Sequence, residues 1–129
     1  MTVEFNLARF EEEPVMGIIR GITEDSLSGV MDAAIAGGLR FLEITLNTPN
    51  APRLIELINR DYPESLCVGA GTVLTIKDAE IAVSSGARFL VSPTVKPDVA
   101  AYCRKENLAY FPGAMTPTEI ETAWNSGAA

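Results

Sequence analysis

Strand-like segments recur along this chain about every 20 to 26 residues, and a helix-like segment follows each one. That rhythm constrains the fold more than any single motif. Strands joined by helix-length crossovers enter one sheet in the same direction, so the pattern implies a parallel β/α sheet. The strand segments are residues 15–20, 40–46, 66–70, 88–92 and 108–111. Two architectures accommodate five such units. One is the first five units of a (β/α)8 TIM barrel, whose full length is about 200–250 residues. The other is an open, doubly wound five-stranded sheet. With 129 residues and no linker or low-complexity stretch, residues 1–129 are expected to form a single domain with one sizeable core.

The intervening segments carry helix signals. Thr23 is placed to cap a helix whose first turn holds Glu24 and Asp25. Leu27, Val30, Met31, Ala34 and Ile35 then form a stripe at helical spacing, ended by Gly37-Gly38. Thr48-Pro49 is expected to open the next helix, with Ala51, Leu54, Ile55 and Ile58 as its apolar face. Residues 76–85 form a third helix, and Pro97 starts a fourth, which buries Val99, Ala100 and Cys103. Thr116-Pro117-Thr118-Glu119 reads as a capping box, and Ile120, Ala123 and Trp124 are the expected buried side of its helix. Residues 1–13 read as a short N-terminal helix or arm whose Glu11-Glu12-Glu13 run is a solvated face.

Composition removes several classes of function. Hydrophobic residues make up 47% of the chain and charged residues 21%, as in globular rather than disordered chains. The formal charge of −7 argues against nucleic acid and anionic membrane as partners. No apolar run is long enough to cross a bilayer, and the N-terminus lacks the pattern of a signal peptide. Cys67 and Cys103 have apolar neighbours and no metal-ligand spacing, so reduced thiols in a cytoplasmic protein are expected. The chain has no histidine, so proton transfer near neutral pH falls to a tuned carboxylate, lysine, tyrosine, cysteine or water.

The segment at 40–46, Arg-Phe-Leu-Glu-Ile-Thr-Leu, carries the sharpest anomaly. In a strand, Leu42, Ile44 and Leu46 share one face while Phe41, Glu43 and Thr45 share the other. A carboxylate within a buried strand is costly unless it is paired or hydrated, so Glu43 is either a satisfied structural ion or a catalytic group. Polar and glycine residues recur in phase at the C-terminal ends of the other strands: Arg20, Gly69-Ala70-Gly71-Thr72, Ser92-Pro93-Thr94 and Phe111-Pro112-Gly113. Parallel α/β folds bind ligands at that edge.

Each of these also has a purely structural explanation. Arg20 is either a salt-bridge partner of Glu43 or a forked grip on a carboxylate or phosphate. The Gly-Ala-Gly-Thr segment is either a tight connection or an anion cradle to which Thr72 adds a hydroxyl donor. It lacks the lysine and spacing of a P-loop, which excludes a nucleoside triphosphate. Pro93 and Pro112 fit strand-end geometry better than chemistry. Cys67, with no histidine to activate it, fits a core position.

Five segments, taken together and in order, resemble one family. They are Ile-Arg-Gly-Ile-Thr (19–23), Gly-Gly-Leu-Arg-Phe-Leu-Glu-Ile-Thr-Leu (37–46), Val-Gly-Ala-Gly-Thr-Val (68–73), Phe-Leu-Val-Ser-Pro (89–93) and Phe-Pro-Gly-Ala-Met-Thr-Pro-Thr-Glu (111–119). They are similar to the 2-keto-3-deoxy-6-phosphogluconate and 4-hydroxy-2-oxoglutarate aldolases, and the resemblance runs from Pro14 onward. It implies a (β/α)8 barrel, usually trimeric, and a class I aldolase that uses no metal or cofactor and acts on a small keto acid. A lysine forms an imine with the substrate, and the C3–C4 bond then breaks to give bound pyruvate enamine and an aldehyde. By the same resemblance Glu43 is the general acid/base, Thr72 with the Gly69–Gly71 backbone holds the pyruvate carboxylate, and Pro93 lines the site.

Asn47 stands where many members carry arginine. With Arg20 on the first strand, this looks more like the phosphogalactonate branch, with Arg20 taking over anion binding. The family's imine lysine lies on a sixth strand, and Lys77, Lys96 and Lys105 match no such position. The alternative to an aldolase is a non-catalytic half-barrel that binds small carboxylates.

Overall fold

The computed structural model describes residues 4–129, and the first three residues of the expected N-terminal arm lie outside that range. Five strands form one parallel sheet: β1 (Met16–Ile19), β2 (Phe41–Thr45), β3 (Cys67–Gly71), β4 (Phe89–Ser92) and β5 (Ala109–Pro112). Their spatial order is their sequence order, β1-β2-β3-β4-β5. A doubly wound sheet reverses order at a switch point and carries helices on both faces. Here the order never reverses. The helices α2 (Glu24–Ala36), α3 (Ala51–Asp61), α4 (Ile76–Ser84) and α5 (Pro97–Lys105) share one apolar cluster with Leu42, Ile44, Val68, Ala70, Leu90 and Tyr110. The opposite phase of the strands, Phe41, Cys67 and Phe89, packs in a second cluster with Phe5 and Phe10. The chain therefore builds part of a barrel wall, with helices outside and a separate inner face.

The short helix α1 (Leu7–Glu12) brings Phe10 onto the lower inner face. Phe5, Phe10, Phe41, Phe89 and Phe111 pack there with ring centroids 5.1 to 5.9 Å apart, mostly tilted or edge-on. Such aromatic pairs each add about 0.5–1.5 kcal/mol beyond the area they bury. The N-terminal segment thus covers an apolar surface that the outer helices cannot reach.

Helix starts follow local chemistry. Thr75 caps α4: its hydroxyl accepts from the Asp78 N–H at 3.1 Å, and the Asp78 carboxylate accepts from the Thr75 N–H at 3.0 Å. The final helix, α6 (Pro117–Asn125), opens with the expected box between Thr116 and Glu119.

Several local expectations need correction. Helix α3 begins at Ala51, not at Pro49, because Asn50 takes a left-handed conformation as its cap and Thr48 is used elsewhere. Val30, 38% exposed, sits at the edge of its stripe, and only Leu27 and Met31 of that stripe are fully buried. On α6, Ala123 alone is buried, while Ile120 and Trp124 face outward at 57% and 74% exposure. Periodicity finds an apolar side of a helix, but it cannot say whether another element covers that side. The Gly69-Ala70-Gly71 stretch is not a turn. It is the end of β3, paired with β2 through Glu43↔Gly69 and Thr45↔Gly71.

Candidate functional site

The inner face changes character along its length. Below lie the phenylalanines; two residues further up β2, the same phase presents Glu43. Its side chain is 3% exposed, and among the described residues Oε2 has no hydrogen-bond partner. Burial pushes the carboxyl up to about 7, and the positive charge of Arg20 pulls it partly back. Arg20 and Glu43 make no ion pair among the described residues, so Arg20 acts at a distance rather than as a salt-bridge partner. A carboxyl poised near neutrality in a partly dry site can give and take protons at physiological pH.

β3 makes room for this carboxylate. A Cβ at Gly71 would overlap the Glu43 carboxyl group, so a side chain there would push the carboxyl out of this position. A Cβ at Gly69 would overlap the Phe89 ring, which gives that glycine a packing reason for its lack of a side chain. Next along the chain, Thr72 has φ +58. A β-branched residue in the left-handed region stores roughly 1–3 kcal/mol of strain, which persists only where the surroundings impose it. Here they do: the Gly71 carbonyl accepts from the Leu46 N–H at 2.8 Å, and the Val73 N–H donates to the Val91 carbonyl at 3.1 Å. Strain of this kind collects at functional sites.

Two hydroxyl networks, unseen in the sequence, support the rim. On one side, Thr48 Oγ1 accepts from the Gly21 N–H at 3.0 Å and lies 3.1 Å from Thr45 Oγ1. On the other, Tyr110 donates to Ser92 Oγ at 3.0 Å, and Ser92 donates to the Val73 carbonyl at 2.6 Å. The Lys96 N–H closes that second network on Tyr110 Oη at 3.2 Å. The only available signal was hydroxyl residues at strand ends, which also fits turns and caps.

Arg20, Asn47 and Pro93 are exposed at the same rim. The Pro93 carbonyl is so close to Gly113 that a side chain there would overlap it. A small cavity of about 140 Å³ opens between the turns after β1 and β2, bordered by Gly21, Thr23, Pro49 and Asn50. A larger hollow of about 810 Å³ lies at the opposite end of β4 and β5, among Glu4, Phe5, Arg88, Arg104 and Asn107. Its residues include none of the rim groups, so volume does not mark the chemistry here. Cys67 and Cys103 are buried free thiols, pushed by burial up to about 12 and about 11, and at neutral pH they stay protonated and poor nucleophiles. No helix among the described residues is long and apolar enough to cross a membrane.

A parallel barrel wall with a buried, near-neutral carboxylate at its C-terminal rim defines a class, an α/β barrel with a titratable group at its ligand-binding edge. The family model for KDPG and KHG aldolases matches residues 7–129, and the chain belongs to that family. A probable 2-dehydro-3-deoxy-6-phosphogalactonate aldolase of Rhizobium meliloti is 38% identical over 117 residues, covering 91% of this chain and 55% of that protein. The structure described as native KDPGal superposes with a TM-score of 0.86 at 30% identity, covering 99% of this chain and 59% of the other. A KDPG aldolase from Legionella pneumophila, with pyruvate captured as a covalent carbinolamine intermediate, superposes with a TM-score of 0.81 at 31% identity. That match covers 88% of this chain and 55% of the other. The chain thus spans a little over half the length of the relatives it matches.

Proposed function

We propose that this chain supplies the proton-transfer part of a class I aldolase site. The site cleaves a 2-keto-3-deoxy sugar-acid phosphate to pyruvate and an aldehyde phosphate. The observation that carries the reading is Glu43: a buried carboxyl with an unpartnered oxygen, held near neutrality over a glycine that leaves it space.

In this reading a lysine amine condenses with the C2 carbonyl and releases water. Glu43, through a bridging water, takes the proton of the C4 hydroxyl. The C3–C4 electron pair moves into the protonated imine, giving pyruvate enamine and free aldehyde. Glu43 then returns the proton to C3 of the enamine, and water releases pyruvate. Thr72 and the Gly69–Gly71 backbone hold the keto-acid carboxylate, Arg20 and Asn47 face its anionic groups, and Pro93 lines one wall. The captured pyruvate in the Legionella relative is consistent with this chemistry.

The lysine comes from outside these 129 residues. Among the described residues, Arg20 is the charged group whose field bears on Glu43, and no lysine does. Lys77 lies in the first turn of α4, Lys96 caps α5, and Lys105 at the end of α5 reaches Glu106. A trimer in the cytoplasm is the setting this reading implies.

The test is pyruvate added to the 129-residue chain, followed by amide NMR and by borohydride with intact-mass measurement. The reading expects saturable shifts at Gly71 and Thr72 and no covalent adduct. An adduct would overturn the assignment of the lysine, and silence at those amides up to high millimolar pyruvate would overturn the subsite.

A further inference from the structure

Thr45 and Thr48 are both buried, at 0% and 3% exposure, three residues apart where β2 turns toward α3. Their hydroxyls form a chain whose direction is fixed. The Gly21 N–H can only donate, so Thr48 Oγ1 accepts from it. Thr45 donates to the Ile19 carbonyl at 3.4 Å, which leaves its oxygen to accept from the Thr48 hydroxyl across 3.1 Å. The order is therefore Gly21 N–H, Thr48, Thr45, Ile19 carbonyl. The two ends of this chain are the residues on either side of Arg20.

Arg20 has left β1 and is exposed, and Gly21 turns the chain with φ +70. Nothing in the sheet pairing fixes that point, since the register of β1 with β2 ends at Ile19↔Ile44. The buried hydroxyls extend the hold of β2 by two residues, past the end of the ladder. Thr45 is also two residues from Glu43 on the same face of the strand, so one element carries the carboxylate and the clamp.

We propose that Thr45 and Thr48 are positioning residues that grip the backbone on both sides of Arg20 and so fix its guanidinium relative to Glu43 at the site rim. This rests on the aldolase reading only for its purpose, which is to keep a cation set for the anionic groups of a keto acid. A methyl in place of either hydroxyl breaks the chain and leaves a buried donor or acceptor without its partner, whereas serine preserves it.

The test reads the titration of the Glu43 carboxyl by carbon-detected NMR on the full 129-residue chain, and needs neither turnover nor substrate. Removing the cation with Arg20→Gln should raise the Glu43 midpoint by on the order of 0.5–1 unit. Thr48→Val should move it a substantial part of the same way, Thr48→Ser should restore the wild-type value, and Thr48→Val in the Arg20→Gln background should add nothing. Thr45→Val provides the same comparison should Thr48→Val not fold.

A wild-type midpoint in the valine variants alongside a shift in Arg20→Gln would overturn the proposal. So would an equal valine shift in the absence of Arg20, or no response to Arg20→Gln. Failure of pyruvate to bind would sink the aldolase reading and leave this result standing.

Discussion

The lower and upper halves of the inner sheet face are built from the same strands in the same phase, yet they follow opposite rules. Below, Phe41 and Phe89 are fully buried with Phe5 and Phe10 packed over them, and every group finds an apolar partner. Above, Glu43 is as buried as those rings but one of its oxygens has no partner, and Thr72 sits in a backbone conformation that a threonine avoids. The lower half contributes stability; the upper half spends some of it to hold a carboxyl near neutrality. Even the two glycines of β3 divide this way, Gly69 beneath a ring and Gly71 beneath a carboxylate.

The contrast breaks most sharply at Phe89. Phe89→Ala should destabilise the chain by about 3–5 kcal/mol, the usual loss for a buried aromatic. Chemical denaturation would read it. Glu43 should titrate close to its wild-type value, because the ring packs over Gly69 and the carboxyl over Gly71. A shift in that titration would show that the aromatic layer also shapes the carboxyl's surroundings.

Gly69→Ala is the smaller counterpart. The added methyl meets the Phe89 ring, and overpacking of this kind costs about 1–3 kcal/mol. In the Phe89→Ala background the same methyl should be nearly neutral or stabilising, since the cavity takes it. A double-mutant cycle measures that coupling, and simple additivity would mean the ring is not the obstacle.

The upper half should respond with the opposite sign. Glu43 titrates near 7 in the fold, above an unfolded glutamate at about 4.3. Between those values the folded chain binds more protons than the unfolded one, so stability falls as pH rises through the window. The contribution of Glu43 is greatest below about pH 4.3 and is gone above about pH 7. Glu43→Gln removes the charge that burial opposes. It should stabilise the chain by on the order of 1–3 kcal/mol at pH 8, allowing for partial hydration, and flatten this part of the pH–stability curve. Any aldolase activity completed by the rest of the barrel should disappear with it. A variant no more stable than wild type at pH 8 would mean that the carboxylate is solvated after all.

How much of this was readable beforehand depends on what each feature needs from distant residues. The five βα units were legible because strand length, apolar runs and caps are local. So was the oddity of Glu43, which two-residue alternation alone places on the face of Phe41 and Thr45. Strand order was not local, and only the sequential pairing with all of α2 to α5 on one face separates a barrel wall from a doubly wound sheet. The exposure of Ile120 and Trp124 was hidden for the same reason, since amphipathic spacing does not name a covering partner. Thr48 misled because a threonine before a proline reads as a helix cap, and nothing nearby in sequence reveals a bond to Gly21, 27 residues away.

The subtlest difference between the halves lies in the backbone, and Thr72 isolates it. At φ +58 a threonine carries steric strain that glycine lacks, while glycine adds about 0.5–1 kcal/mol of chain entropy to be lost on folding. Thr72→Gly should therefore leave stability unchanged or raise it by up to about 1 kcal/mol. That would be unusual for the loss of a side chain at the end of a buried strand. Pyruvate binding should weaken in the same variant, because the hydroxyl donor goes with the strain. A clear loss of stability would mean that the Thr72 side chain serves packing rather than the site. Unchanged stability with unchanged pyruvate binding would leave the strained backbone, not the hydroxyl, as what the site requires.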